Sequence, residues 1–435
     1  MMATVTRDNA PQHITAAGWR IVLLASLGGT LEFYDFVIFG VFAKDIADAI
    51  FPNPTPLIAL MASFATFAVG YLARPIGGIV LSHFGDRYGR RRVFLISIFV
   101  MSGATFGMGL VPSFASWGPT ASVLLIVLRL VQGFCLGGEL PGALTYVVET
   151  APRHAPFVCG VVFSCVTLGV ALATGVSLSV RTWLPAALVP GMGWRIAFIL
   201  GGLGGLLSFA LRRSLEESPE FARMKQLAAR QPFREVLKSH LAPVAIGIAT
   251  LAATAGFNGL FFAHMAAYTA GVLRYDPRQA IVAQTLGVIV HALAILGVGR
   301  LADRVEPRIL LRIGAILLAT LAFPFYGALV ARSMGPTLLL VLAGLCASLV
   351  NGTFAVLLTD LFPTRVRFSG VALVFNVAFT IFSGTAPLVA TSLIKSTGSP
   401  RAPALVMIAC GLLTLVGSLG LGRRGGHVMA RSSAA

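Results

Sequence analysis

Charge is scarce in this chain. Asp, Glu, Lys and Arg make up 11% of its 435 residues, less than half the roughly 25% of an average soluble domain. A water-soluble protein of this size lacks the polar side chains to cover its surface, which excludes a soluble globular enzyme and a disordered chain. Acids are scarcer than bases, 16 against 33. Cysteine is rare too: the five residues at 135, 159, 165, 346 and 410 sit in apolar runs without metal-ligand spacing. They read as small buried hydrophobes, and a disulfide scaffold or a metal site is excluded. The Walker loop is absent, which argues against ATP-driven transport. So are the G-x-S-x-G and H-E-x-x-H signatures of lipases and membrane proteases. The first apolar run, from Ile21, carries Glu32 and Asp35 and lacks a small-residue cleavage site, so it reads as a span and not a cleavable signal.

What is abundant is apolar: 57% of the residues, with a mean hydropathy of +0.87. A span needs roughly 20 mostly apolar residues. Apolar runs between charge clusters and Pro/Gly breaks predict twelve helices, at 20–43, 57–82, 93–111, 121–144, 157–180, 194–211, 241–266, 281–300, 309–331, 336–357, 368–394 and 402–421. The connectors alternate in charge. One side, with both termini, carries 23 of the 33 Lys and Arg; the other carries eight, and Arg74 and Arg129 fall inside spans. The richer side is predicted to be cytoplasmic. The net charge of +17 is therefore topology, assisted by anionic lipid. Basic residues scattered in short clusters, without interleaved aromatics, are not a nucleic-acid surface.

The longest polar connector, 212–240, follows the sixth span. It divides the chain into a bundle at 1–211, a cytoplasmic linker at 212–240 and a bundle at 241–435. A related loop recurs in the two halves: Gly85-Asp86-Arg87-Tyr88-Gly89-Arg90-Arg91 after span 2, and Gly299-Arg300-Leu301-Ala302-Asp303-Arg304 after span 8. Duplicated bundles of this kind bind substrate near the midplane and rock one half against the other.

With this repeated loop the sequence resembles the major facilitator superfamily. Further stretches resemble its metabolite:proton symporter subfamily, which imports carboxylates and zwitterionic osmolytes. In the first half they are Leu31-Glu32-Phe33-Tyr34-Asp35-Phe36, Arg74-Pro75-Ile76-Gly77, Arg129-Leu130-Val131-Gln132-Gly133-Phe134, Gly137-Gly138-Glu139, Gly193-Trp194-Arg195 and Leu215-Glu216-Glu217-Ser218-Pro219-Glu220-Phe221. In the second half they are Leu361-Phe362-Pro363-Thr364-Arg365-Val366-Arg367 and Gly384-Thr385-Ala386-Pro387. The resemblance spans nearly the whole chain. It implies an all-α polytopic membrane protein, with twelve transmembrane helices in two six-helix pseudo-symmetric bundles.

Five charges fall inside the predicted spans: Glu32, Asp35, Arg74, Arg129 and Glu139. A charge there costs roughly 2.5–3.5 kcal/mol on insertion scales, so each needs a purpose or a partner. Glu32 and Asp35, three apart on one helix face, are candidates for loading and releasing a proton, Asp35 first; the alternative is a permanent ion pair with Arg74 or Arg129. Arg129, with Gln132 one turn on, offers a planar fork for a carboxylate; the alternative is an internal pair with Glu139 or a first-span acid. Tyr34, Asn258, His264, Gln284 and Asn376 are candidate cavity contacts, each weighed against an interhelical hydrogen bond; Tyr268 and His291 lie nearby. Arg74, read near the cytoplasmic end of span 2, suits snorkelling or a gate, and Glu139 among small residues suits a gate lock. The resemblance assigns the conformational switch to Gly85, Asp86, Arg87 and Arg90, with Asp303 and Arg304 in the second copy.

These features predict a secondary transporter of the bacterial inner membrane, not an enzyme, without cofactor or metal and working as a monomer. It would import a small carboxylate, a di- or tricarboxylate for preference, together with a proton. The alternative is uptake of a zwitterionic osmolyte such as proline or betaine, disfavoured by the short tail after span 12. Proton-driven efflux and a non-transporting receptor rank lower. Reporter fusions in the 212–240 connector and at both termini should read cytoplasmic, and one near Arg274 should read external; an external C-terminus breaks the twelve-span topology.

Overall fold

The computed structural model describes residues 16–88, 90–137, 139–151, 154–212, 232–424 and 426. Among them there are helices and connectors and no strands. Backbone polar groups in a bilayer must be satisfied within the segment, and helices do this. Twelve helical columns follow the expected order. Span 1 is Ala16–Val41, span 2 Pro56–Tyr88, span 3 Arg90–Leu110, and span 4 Pro119–Cys135 continued by Glu139–Thr150. Span 5 is Ala155–Trp183, and span 6 is Trp194–Arg212 entered through a π-turn, Val189–Gly193. Span 7 runs from Leu241 to Val272 in several pieces; span 8 is Pro277–Ala302 and span 9 Pro307–Ala331. Span 10 is Pro336–Asn351 continued by Phe354–Asp360, span 11 runs from Arg367 to Thr397, and span 12 is Pro403–Arg424.

Among the described residues, nine of these columns are long and apolar enough by themselves to cross a membrane. A tenth, span 7, qualifies when its two parts, bent by 41° at Leu251, count as one. Spans 1 and 3 complete the set by packing, span 1 against span 5 and span 3 against span 6. Local chemistry sets many of the ends. Proline opens spans 2, 4, 8, 9, 10 and 12, where its missing N–H costs nothing. Asp276 caps span 8 by accepting from the Gln279 backbone N–H at 2.8 Å. Gly398, at φ 67°, closes span 11 in the left-handed conformation.

Four spans depart from regular helix, span 10 at Gly352–Thr353 and three others. Span 7 is π-helical over Asn258–His264 and Tyr268–Val272, and span 11 over Phe379–Gly384. Such turns cluster at functional sites because they re-aim carbonyls and side chains. Span 4 leaves helix at Leu136 and Gly137, beside a glycine seam with span 2. A Cβ on Gly133 would stand 1.9 Å from the Gly70 carbonyl oxygen, and one on Gly77 would stand 1.8 Å from that of Phe134. Here the two backbones touch.

The eight residues Pro232–Ser239 form a short helix at the end of the predicted linker. Val236 is buried and Arg365 of the 10–11 connector bonds Glu235, so this helix packs on the second half. The linker residues 213–231 lie outside the described residues.

Gly133→Ala should force spans 2 and 4 apart and cost about 1–3 kcal/mol, as overpacking does. Gly175→Ala in span 5 has nothing within 4 Å of the new methyl and should be neutral or slightly stabilising. Thermal melts of the two purified variants test the difference.

Candidate functional site

The four described intramembrane charges gather in the first half. Glu32, Asp35 and Arg74 are each 1% exposed and Arg129 is 0% exposed. Span 1 supplies the acids, and the glycine seam brings Arg74 of span 2 and Arg129 of span 4 beside them. Gly70 is the space into which Arg129 fits: a Cβ there would lie 2.8 Å from Nε.

The acids do not share a partner. Arg74 Nη2 stands 4.0 Å from Glu32 Oε1. Asp35 turns to span 3, where the Thr105 hydroxyl donates to Oδ2 at 3.5 Å. Its Oδ1 has no hydrogen-bond partner among the described residues. Arg129 donates to Gln132 Oε1 and, at 3.1 Å, to the Phe36 carbonyl. Gln132 in turn donates to the Asp35 carbonyl at 3.2 Å and to Thr105 Oγ1 at 2.8 Å. Among the described residues no carboxylate lies within 4.0 Å of Arg129, and its Nε is unbonded. Aromatic faces sheathe both cations. The Arg129 guanidinium carbon is 3.8 Å from the Phe36 ring centroid and 5.0 Å from that of Phe67. That of Arg74 is 5.3 Å from Tyr71. Cation–π attraction helps hold these charges dry.

Tyr71 links this cluster to the second half. Its hydroxyl accepts from Ser383 at 3.1 Å, and its carbonyl accepts from Thr380 at 2.8 Å, both from the π-turn of span 11. Asn376 of span 11 donates to the Gly137 carbonyl, at the break in span 4, at 2.6 Å.

The two halves meet on both sides of this centre. On the face carrying the described C-terminus, Arg367 Nη1 bonds Glu149 Oε1 at 2.8 Å. Asp303 accepts from the Phe157 N–H at 3.2 Å and lies 3.5 Å from His154. On the opposite face, a Cβ on Gly40 of span 1 would meet the Ala263 methyl of span 7 at 2.5 Å. Phe64 lies 5.4 Å from the His264 ring there, beside a cluster of Ala43, Leu60, Phe64 and Ala267. Among the described residues the halves thus touch on both faces.

Several expected roles change with these positions. Tyr34 does not join Arg129; its hydroxyl donates to the Ala197 carbonyl of span 6 at 2.8 Å. Arg74 does not snorkel: it is buried seven residues before Leu81, where the apolar run of span 2 ends. His264 is an interhelical contact, with Thr391 Oγ1 at 3.2 Å and Tyr268 stacked on it at 5.4 Å. Gln284 Nε2 donates to the Phe261 and Phe262 carbonyls of the span 7 π-turn at 2.7 and 3.1 Å. In the second loop copy Asp303 lies 3.4 Å from Arg300, and Arg304 is exposed. The side chains of Gly85, Asp86, Arg87, Arg90 and Glu139 lie outside the described residues.

Sequence reasoning missed Thr105, Tyr71 and Asn351, which carry no distinguishing motif. It also read Arg367 as a topology signal. Arg367 is 3% exposed, with Nε donating to the Thr359 and Phe362 carbonyls at 3.1 and 3.2 Å.

Asp303, just past the end of span 8, is titratable at the seam. Burial pushes its carboxyl above the usual aspartate range, against the opposing pull of the Phe157 N–H, His154 and Arg300. A carboxyl raised on folding stabilises the fold while protonated, and that stability is lost as pH rises. Stability should therefore decline from about pH 4 upward, through the raised value. Asp303→Asn keeps an acceptor for Phe157 and should flatten this slope, read as melting temperature against pH. An unchanged slope assigns the dependence elsewhere.

The Major Facilitator Superfamily family model matches residues 25–387. The citrate-proton symporter of Klebsiella pneumoniae is 32% identical over 411 residues, covering 92% of each chain. The proline/betaine transporter of Escherichia coli K12 is 30% identical over 416 residues, covering 91% of this chain and 82% of its own. Among solved structures, the proton:xylose symporter XylE bound to 6-bromo-6-deoxy-D-glucose superposes with a TM-score of 0.74 at 16% identity, covering 96% of this chain and 98% of its own.

Proposed function

This chain belongs to the major facilitator superfamily, and from that premise we propose that it is a proton-coupled symporter importing a small carboxylate metabolite by alternating access. The observation that carries this reading is Arg129: a wholly buried guanidinium with no carboxylate partner among the described residues, beside Asp35 with one oxygen unbonded. Arginine stays protonated, so a substrate carboxylate is the counter-charge that it lacks.

Charge balance links the proton to the carboxylate. Glu32, Asp35, Arg74 and Arg129 sum to zero. A proton on Asp35 leaves the site at +1, and one carboxylate on Arg129 returns it to zero. A di- or tricarboxylate needs a further proton for each further charge. Glu32 is the second acid available, and its protonation frees Arg74 as a second cation. The names of the relatives support both substrate classes, since citrate-proton and proline/betaine carriers resemble the chain about equally. The zwitterion reading is the second one: its carboxylate can meet Arg129 and the rings around the arginines would face its cationic end, although the proton then leaves the site at +1.

In this reading residues 1–211 and 241–435 are the rocking halves, with Arg367–Glu149 and Asp303–Phe157 among the contacts that open on one face. The basic connectors and both termini face the cytoplasm, across the inner membrane of a bacterium, and the carrier acts as a monomer in anionic lipid.

Uptake of a radiolabelled carboxylate panel into proteoliposomes, under an imposed pH gradient or sodium gradient, tests the assignment. Accumulation driven by sodium alone refutes proton coupling. Asp35→Asn should abolish uphill accumulation and keep substrate exchange, which needs no net proton movement. Arg129→Lys keeps the charge but loses the fork, and should weaken binding by about 1–3 kcal/mol. Concentrative uptake by Asp35→Asn under a pH gradient removes Asp35 from the coupling role. Normal binding by Arg129→Lys leaves the arginine a structural part.

A further inference from the structure

Spans 4 and 10 occupy corresponding places in the two halves, and both are interrupted after a similar length of helix. Span 4 runs 17 residues from Pro119 before its break after Cys135; span 10 runs 16 residues from Pro336 before its break after Asn351. Paired interruptions in corresponding spans mark the binding region of a duplicated carrier. At the break in span 4 stand Arg129 and Gln132. At the break in span 10 stands a polar group of another kind, made of Asn351, Asn258 of span 7 and His291 of span 8.

The direction of its hydrogen bonds is fixed from one end. His291 Nδ1 is 2.7 Å from the Gly344 carbonyl, which can only accept, so Nδ1 carries the hydrogen. In the neutral ring Nε2 is then an acceptor, and it takes a hydrogen from Asn351 Nδ2 at 2.9 Å. The second hydrogen of that amide goes to Asn258 Oδ1 at 3.2 Å. Two atoms are left without a hydrogen-bond partner among the described residues: the donor Asn258 Nδ2 and the acceptor Asn351 Oδ1. The residues are 4% and 1% exposed. An unmet buried polar group is costly, so two on neighbouring amides call for an occupant.

The group is connected to the seam between the halves through its chain neighbour Gly259, which packs inside the second half on Ser383. A Cβ on Gly259, the residue after Asn258, would meet the Ser383 carbonyl at 2.4 Å. Ser383 bonds Tyr71, whose ring lies under Arg74 and packs edge-on against Phe36, 4.5 Å away. Phe36 lies under Arg129. The charged group and the neutral group are thus joined through Tyr71.

We propose that Asn258 and Asn351, held in register by His291, form the second half of the substrate site and select carboxylates that also carry a hydroxyl or N–H. A free donor beside a free acceptor matches a group that both accepts and donates, or one that fills the acceptor with its own hydrogen. The neutral amides offer no counter-charge to a further carboxylate and no acceptor match to a quaternary ammonium. This inference rests on the carboxylate reading of Arg129 and narrows it.

The test uses the purified full-length protein and three pairs of unlabelled compounds matched in charge: citrate and tricarballylate, malate and succinate, proline and glycine betaine. The first of each pair has the hydroxyl or N–H and the second lacks it. Affinity is read from the rise in melting temperature over a concentration series. In at least one pair the first member should bind about 10- to 100-fold more tightly. Asn258→Ala should reduce that preference to within about twofold. If Asn258→Ala does not fold, the isosteric Asn258→Leu takes its place, with Asn351→Ala as an independent probe. Arg129→Lys should weaken both members equally. A preference that survives the Asn258 and Asn351 variants, or no preference in any pair, overturns the inference and leaves the carboxylate reading standing, with buried water as the occupant. Failure of all six compounds to bind overturns the carboxylate reading and this inference with it.

Discussion

Four charges held away from water in an apolar bundle are the constraint on which the rest of the first half depends. Each needs compensation, and the fold supplies it unevenly. Glu32 and Arg74 stand at ion-pair distance. Asp35 has one oxygen toward Thr105 and the other unbonded. Arg129 has amide and carbonyl acceptors and an aromatic sheath, but no carboxylate among the described residues. The glycine seam between spans 2 and 4 follows from this need. Without backbone contact at Gly70 and Gly133, Arg74 and Arg129 could not both lie against span 1, Arg74 beside Glu32 and Arg129 on the Phe36 carbonyl. An arginine left short of its counter-charge is a standing cost, and a ligand that supplies the charge recovers it.

That cost also explains how proton and carboxylate depend on each other in the proposed cycle. Bringing an anion into a neutral, dry site leaves an excess negative charge. Bringing in a proton alone leaves an excess positive one. Either step alone is opposed by desolvation, and the two together are not. Coupling then needs no mechanical linkage between proton and substrate sites, only that the halves close more readily around a neutral centre than a charged one.

Hydropathy, charge alternation and the repeated loop made the fold legible, because each span is long and its signal local. The intramembrane charges were legible for the same reason. Their partners were not, because pairing depends on how each helix is rotated about its axis. Glu32 and Asp35 lie three apart, close enough to read as one face, yet span 2 takes one and span 3 the other. Tyr34, between them, turns to span 6. Arg367 shows the opposite error: a basic residue beside a loop reads as topology, although it is buried as a tie between span 11 and span 4. Thr105, Tyr71 and Asn351 left no trace, since one hydroxyl or amide in an apolar run most often serves its own helix.

The duplicated architecture ends in a functional asymmetry. Breaks after similar lengths of helix in spans 4 and 10 stand beside polar groups, yet the first half holds the central charges and the second holds neutral amides and an imidazole. Two charged halves would repel or lock according to protonation, and each would need its own counter-ion in every state. In the proposed cycle, with the central charges in one half, the proton and the carboxylate are handled there, and the other half is left to the shape and hydrogen-bonding pattern of the solute. Tyr71 spans the two, its ring under Arg74 and its polar atoms on the π-turn of span 11. In the proposed cycle, Tyr71 is the residue placed to feel the charge state of the first half while it holds the second.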